Sequence, residues 1–262
     1  MTICIAAIAD NNKVIAITDK MITLGGPVAT RYEISENNKA IKLTDKSIAL
    51  FAGNVLSANE ILEIAKGKIN NSTTMNIGQI AEKMREAYFE YWTRTINNQL
   101  FQRYSLNLTT FMQNQKTLND DLVKEINGIL ANSNSGVDII VAGVDTAPHL
   151  FYVGNPGTVN SLDSIGYALI GSGFQHAQLS LIENEYHAGI SKENGLYALL
   201  EAKKRAEYDP GVGQLCDIVI IDGNFNKLLP AKINKIEKEF RKSSKSMKRN
   251  KDKSAVKMYK LI

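Results

Sequence analysis

Thr2-Ile3-Cys4-Ile5-Ala6-Ala7-Ile8-Ala9-Asp10-Asn11-Asn12-Lys13-Val14-Ile15-Ala16-Ile17-Thr18-Asp19 opens the chain with two apolar runs on either side of a polar turn. Both runs are short and rich in β-branched and small side chains, and Asp10-Asn11-Asn12-Lys13 tolerates the positive φ of a tight hairpin. The stretch predicts a β-hairpin of Thr2 to Ala9 with Val14 to Thr18. A second pair follows, Lys39 to Leu43 and Ser47 to Ala52, joined at Thr44-Asp45-Lys46.

At Gly53-Asn54 the apolar period changes to that of a helix. Ser57 and Glu60 have the spacing of a capping box, and Ile61, Leu62, Ala65 and Ile69 make a buried stripe. A longer helix carries Ile77, Ile80, Ala81, Met84, Tyr88, Tyr91, Trp92 and Ile96 at three- and four-residue intervals, and its aromatic stripe reads as core. Ser105 to Ser135 is polar, helix-compatible and weakly periodic, an insertion of about residues 97–135. Strands resume at Val137 to Gly143, His149 to Val153 and Tyr167 to Gly171. One helix then follows Gly171-Ser172-Gly173 and another starts near Ser191. The last strand pair, Cys216 to Ile221 and Lys227 to Leu229, turns at Asp222-Gly223-Asn224. Grouped strands and grouped helices predict an α+β domain of antiparallel sheets with helices outside, and argue against a parallel βαβ sheet.

A chain of 262 residues, 44% hydrophobic, can bury one large core. The expected organisation is one domain over 2–230 and a basic C-terminal tail over 231–262. The net charge of +4 hides an uneven spread: from Lys227 onward there are 13 Lys or Arg and 3 acidic residues, out of 31 and 27 in the whole chain. The tail reads as a solvated or partly disordered segment, and it is the one part suited to nucleic acid or an acidic partner surface. The start has no basic n-region and is broken at Asp10, and no apolar run is long enough to span a bilayer, so a cytoplasmic protein with no membrane partner is expected. Cys4 and Cys216 sit in apolar runs and read as small hydrophobes. His149, His176 and His187 share no ligand spacing, so no metal is expected. Gly171-Ser172-Gly173 is not a nucleophile elbow and Gly211-Val212-Gly213 is not a P-loop, so no cofactor is expected either.

With these residues in order, the chain resembles the proteasome β-subunits and the peptidase subunit of bacterial two-component ATP-dependent proteases, members of the N-terminal nucleophile (Ntn) hydrolase superfamily. Thr2 to Ile8 also resembles a group of uncharacterised prokaryotic proteasome-like proteins. The resemblance covers about residues 2–66 and 137–222. It implies a four-layer αββα sandwich and a catalytic set. Thr2 would be the nucleophile once Met1 is removed, its free α-amine serving as base for its own hydroxyl. Asp19 matches the family's first aspartate and Lys39 its lysine, with Lys42 the competing assignment. Gly53, in Ala49-Leu50-Phe51-Ala52-Gly53, matches the oxyanion-hole glycine. Ser172 matches a serine near the nucleophile, or else caps the following helix. Asp209 matches the second aspartate, or else ends a helix before Pro210.

The chain departs from the family at three places. Asn54 replaces a glycine, Val212-Gly213 occupies the region of a serine, and extra residues around Leu24-Gly25-Gly26-Pro27 would reshape the substrate cleft. The implied function is that of a threonine-type peptidase or amidase acting on peptide or protein substrates, in a homo-oligomeric ring with a possible ATPase partner. Two alternatives stand beside it: a non-catalytic proteasome-like structural subunit, and a binding module that works through the basic tail.

Overall fold

The computed structural model describes residues 2–24, 30–69 and 75–259. β1 (Cys4–Ala9) and β2 (Lys13–Asp19) form the expected antiparallel hairpin, with Cys4 opposite Thr18 and Ala9 opposite Lys13. Asp10 and Asn11 carry its turn at φ 53° and 57°, a left-handed conformation that short polar side chains tolerate. A further hairpin, β3 (Met21–Leu24) with β4 (Thr30–Glu33), was not expected, because strands of four residues give too little alternation to register in sequence. Gly25-Gly26-Pro27, to which the expectation of a reshaped cleft attached, lies outside the described residues.

The chain continues through β5 (Ala40–Thr44), β6 (Ser47–Gly53), α1 (Val55–Ile69), α2 (Ile77–Gln99), α3 (Leu108–Asn114) and α4 (Asp120–Asn132). Then come β7 (Val137–Val144), β8 (Pro148–Gly154), β9 (Thr158–Ser161), β10 (Tyr167–Ile170), α5 (Phe174–Glu183) and α6 (Lys192–Ala206). The chain closes with β11 (Cys216–Asp222), β12 (Asn224–Lys227) and α7 (Pro230–Tyr259). Two five-stranded sheets result, in the orders β10-β1-β2-β11-β12 and β5-β6-β7-β8-β9, and every pairing in them is antiparallel. The fold is α+β, as the grouped element order predicts.

Three apolar clusters hold these elements together. Ala6 and Ile8 of β1 and Ala16 of β2 pack with Leu50 of β6 and Ile140 and Ala142 of β7, so the sheets share one interior. The other side of the first sheet, with Ile5, Ile15 and Ile17, packs on Leu181 of α5 and Leu199 of α6. Phe51, Ile139 and Val141 of the second sheet pack on Ile61 of α1 and Ile80, Met84 and Tyr88 of α2. Because β1 is covered on both faces, all six of its residues are buried, which explains an apolar run without alternation. Each fully buried isoleucine contributes about 1.5–3 kcal/mol relative to exposure.

Four expectations need correction. α1 is capped not by Ser57 but by Asn54, whose Oδ1 accepts the N–H groups of Leu56 (3.0 Å) and Ser57 (3.2 Å). Ser57 lies inside the first turn and accepts the Tyr91 hydroxyl at 2.8 Å, while Glu60 pairs with Arg94. The aromatic stripe of α2 is only partly core: Tyr88 is fully buried, but Tyr91 and Trp92 are half-buried beside a cavity. The last strand, expected at Lys227 to Leu229, is β12 over Asn224–Lys227, because the chain turns straight back after Gly223. The insertion is helical, in keeping with its helix-compatible sequence, with α3 and α4 closing over a separate small cluster of Ile96, Leu100, Phe101, Phe111 and Ile126. Its periodicity is weak because each of α3 and α4 fully buries a single residue, Phe111 or Ile126.

The fourth correction concerns the tail, which forms α7 and docks on α6 through Ile233 and Phe240, with the rings of Phe240 and Tyr197 5.0 Å apart. Lysines between these positions mask the helical stripe in composition. No helix among the described residues is long and apolar enough to cross a membrane.

The isolation of the insertion's cluster gives a testable consequence. Phe111→Ala should cost about 3–5 kcal/mol locally. Hydrogen exchange should then rise across α3 and α4 while β1, β2, β6 and β7 stay protected; equal deprotection of the sheets would show that the insertion is part of the main core.

Candidate active site

Thr2 is held just before β1 by its backbone neighbours as well as by its own side chain. Ile3 is fully buried behind it, and the Thr2 carbonyl accepts the Gly173 N–H at 3.2 Å. Gly171 makes this seat possible. It has φ 102°, and a Cβ there would lie 2.3 Å from the Thr2 carbonyl oxygen, so both conformation and space require glycine. Thr2 is thus 2% exposed at the edge of the sheet.

Asp19 ends β2 opposite Cys216 of β11, close to the start of the neighbouring β1. Its Oδ1 accepts the Thr2 hydroxyl, the Ile3 N–H at 3.0 Å and Lys39 Nζ at 2.7 Å. Its Oδ2 accepts the N–H groups of Met21 and Gly213, each at 3.0 Å. Lys39, 4% exposed, also donates to the Thr2 hydroxyl oxygen. The hydroxyl therefore stands between a cation that stabilises developing negative charge on oxygen and a carboxylate that accepts its hydrogen bond in the resting arrangement. Lys42 is not at this site; it is exposed and pairs with Asp45 at 2.5 Å.

A cleft of about 440 Å³ opens beside Thr2, and Gly53, Gly171 and Ser172 are among its lining residues. Gly53 has φ 105°, and a Cβ would lie 1.9 Å from the Gly136 carbonyl oxygen, so the end of β6 can take no side chain there. Its backbone is exposed to the cleft. Asp138 of β7 and Tyr152 of β8 form the far wall, where the Tyr152 hydroxyl donates to Asp138 Oδ1 at 2.7 Å. A larger cavity, of about 840 Å³, lies between α1, α2 and α4, and Asn54, next to Gly53, is on its rim.

Ser172 accepts the Thr2 backbone N–H at 3.4 Å and makes no capping bond to α5, which starts after Gly173. Asp209 lies beyond the end of α6, and its Oδ1 accepts the Gly211 N–H at 2.7 Å. Burial raises the pKa of its carboxyl, but the Gly211 N–H and the adjacent Ser172 hydroxyl outweigh this and hold it below its ordinary value. Val212 is 5% exposed and packs into the cluster under the first sheet, so no hydroxyl stands at that position. The Cys4 thiol is not a competing nucleophile: burial pushes its pKa up to about 12, against the opposing charge of Lys39, and its Sγ donates to the Phe51 carbonyl at 3.3 Å.

All six candidate residues, Thr2, Asp19, Lys39, Gly53, Ser172 and Asp209, are thus brought to one end of the two sheets. Thr2, Asp19 and Lys39 touch directly, Ser172 and Asp209 follow on the amine side, and Gly53 borders the cleft. Gly171 as the seat of Thr2, the Gly213 N–H as a partner of Asp19, and Asp138 and Tyr152 in the cleft were not expected from the sequence. Only the positive-φ preference of Gly171 offered a signal. No family model matches the chain, and no curated protein matches its sequence.

Two outcomes follow from this geometry. Asp19→Ala would leave the Lys39 ammonium buried without its counter-ion, a loss of about 3–5 kcal/mol that a denaturant titration would register; a change under about 1 kcal/mol would mean that water reaches the pair. Ser172→Ala should move the Asp209 pKa back up toward the ordinary 3.8, followed by carboxyl NMR titration. Since the folded pKa is depressed, these bonds add stability that is present above the unfolded pKa and lost as pH falls through the folded one. An unchanged Asp209 titration in the variant would disconnect the two residues.

Proposed function

We propose that this protein is a threonine-type N-terminal nucleophile hydrolase, a peptidase or amidase that uses Thr2 after removal of Met1. The observation that carries the proposal is the buried Thr2–Lys39–Asp19 contact at the mouth of a cleft. The fold supports the same reading, since two sheets sharing an interior with helices on each outer face are what a four-layer αββα sandwich requires.

With Met1 gone, the Thr2 nitrogen is a primary amine next to Ser172. It takes the hydroxyl proton, directly or through a water, as Oγ1 attacks the substrate carbonyl carbon. Lys39 stabilises the charge on Oγ1. The carbonyl electron pair moves onto oxygen, and the Gly53 N–H donates a hydrogen bond to the oxyanion so formed, an interaction of the kind worth about 3 kcal/mol. Collapse breaks the C–N bond, the α-ammonium returns its proton to the leaving amine, and water then hydrolyses the ester on Thr2. Asp19 holds Lys39 and the hydroxyl in place. Val212 supplies no hydroxyl to the amine, so Ser172 and Asp209 carry its orientation.

Intact mass before and after treatment with an epoxyketone or β-lactone probe tests the proposal. Met1 should be absent, one probe mass should add, and Thr2→Ala should add none. Lys39→Ala should slow labelling by about 10²-fold or more. Retained Met1 with no adduct would overturn the proposal in favour of a non-catalytic subunit.

A further inference from the structure

We propose that the cleft beside Thr2 selects a cationic substrate group, a lysine- or arginine-like side chain, and that Asp138 is the residue that selects it. This inference rests on Thr2 being the nucleophile of the same cleft, and it supplies the substrate class that the nucleophile alone leaves open.

Asp138 occupies a position that the packing of β7 assigns to an apolar side chain. Strand alternation puts it on the same face as Ile140 and Ala142, the face turned to the interior between the sheets. It differs from them by lying at the strand's end, opposite Ala52 and next to Gly53, where that interior opens into the cleft. A carboxylate there forfeits hydration that a valine or isoleucine would not need, which core packing alone does not explain.

The carboxylate is also aimed. Tyr152 donates to Oδ1 at 2.7 Å, and burial and this bond together hold the phenol protonated well above its ordinary range. The Tyr152 ring lies over Gly154, where a Cβ would meet the hydroxyl oxygen at 2.5 Å, so the glycine lets the donor take this position. Among the described residues Oδ2 has neither a hydrogen-bond nor an ion-pair partner. One oxygen is fixed by the protein, and the other is left for a ligand.

Charge and shape favour the same occupant. Asp138 is the one charged side chain among the described residues lining the cleft, and the nearby Lys39 and Asp19 pair with each other at 2.7 Å. The Asp138 carboxylate therefore favours a cation and disfavours an anion in its immediate surroundings. Leu169, Ile170 and Phe174 provide apolar walls that suit an aliphatic stem carrying its charge to the far end. Tyr152 acts as a positioning residue for Asp138.

The test has a binding arm that needs no turnover and a labelling arm that does. In the first, NMR titration of the full chain compares Nα-acetyl-arginine methylamide with the norleucine analogue. Arginine amide should bind at least about tenfold more tightly, the advantage should shrink with added salt, and it should disappear in the near-isosteric Asp138→Asn. In the second, peptide epoxyketones differing only in Arg, Leu or Glu beside the reactive group label Thr2. The Arg-to-Leu rate ratio should fall at least about tenfold in Asp138→Asn. Labelling without charge preference, together with binding insensitive to salt and to Asp138, would overturn the inference and leave the nucleophile reading intact. Charge-dependent binding without Thr2 labelling would support the cation site while the hydrolase reading fails.

Discussion

Asp19 accepts hydrogen bonds from four separated parts of the chain while its side chain is shut away from water: the Thr2–Ile3 segment, Met21, Lys39 and Gly213. A buried carboxylate is tolerable only when its oxygens are satisfied and a counter-ion is present. Satisfying this one group fixes the start of β1, the exit of β2, the approach to β5 and the loop before β11 relative to each other. The candidate site is therefore a consequence of how a charge is accommodated at the end of an otherwise apolar sheet. Removing any one donor weakens the placement of the others, because they share the same two oxygens.

Around that group the fold supplies rigid support. Asp217, nearly buried on β11, pairs with Lys20 at 3.0 Å and Lys227 at 2.9 Å, and Lys227 also reaches Asn38 at 3.1 Å, next to Lys39. Below the loop that carries Asp209 and Gly213, the fully buried Lys203 donates to Glu207 and to the Gln214 carbonyl. Burial pulls the pKa of Lys203 down, and Glu207 opposes this. Charged pairs hold the loops where apolar packing holds the strands. Beside the site, a side chain at Gly171 would run into the Thr2 backbone, and one at Gly53 into the Gly136 backbone. The residue after each serves the site differently, since Ser172 meets the Thr2 nitrogen and Asn54 caps α1. Asn54, a departure from the resembled family, is thus accounted for by helix capping.

Legibility in sequence followed the range of the interaction. The hairpin of β1 and β2 and the two helix pairs depend on nearby residues, and periodicity with turn chemistry was enough to locate them; in the last hairpin the turn at Gly223 was located but the second strand was placed too late. Ser57 was expected as the cap because of its spacing to Glu60, but Asn54 also carries an oxygen that can accept, and which of them caps α1 depends on where Gly53 lets β6 end. The choice between Lys39 and Lys42 depends on which side of β5 meets the buried carboxylate, which no local pattern records. α7 was hidden because its few apolar positions matter only against α6, and β3 with β4 because their pairing replaces alternation.

The sequence by itself determined the α+β class, the order of the main groups of strands and helices, and the presence of Thr2, Asp19, Lys39 and Gly53 in an order that points to nucleophilic chemistry. These are properties of composition and short-range pattern, which the chain carries before it folds. The tertiary structure alone decided that Lys39 and Asp19 meet at the Thr2 hydroxyl, that Gly171 seats Thr2, and that Asp138 faces the cleft with one oxygen open. Each of these joins residues far apart in the chain, and it is set by the packing of two sheets and the desolvation of the charges between them.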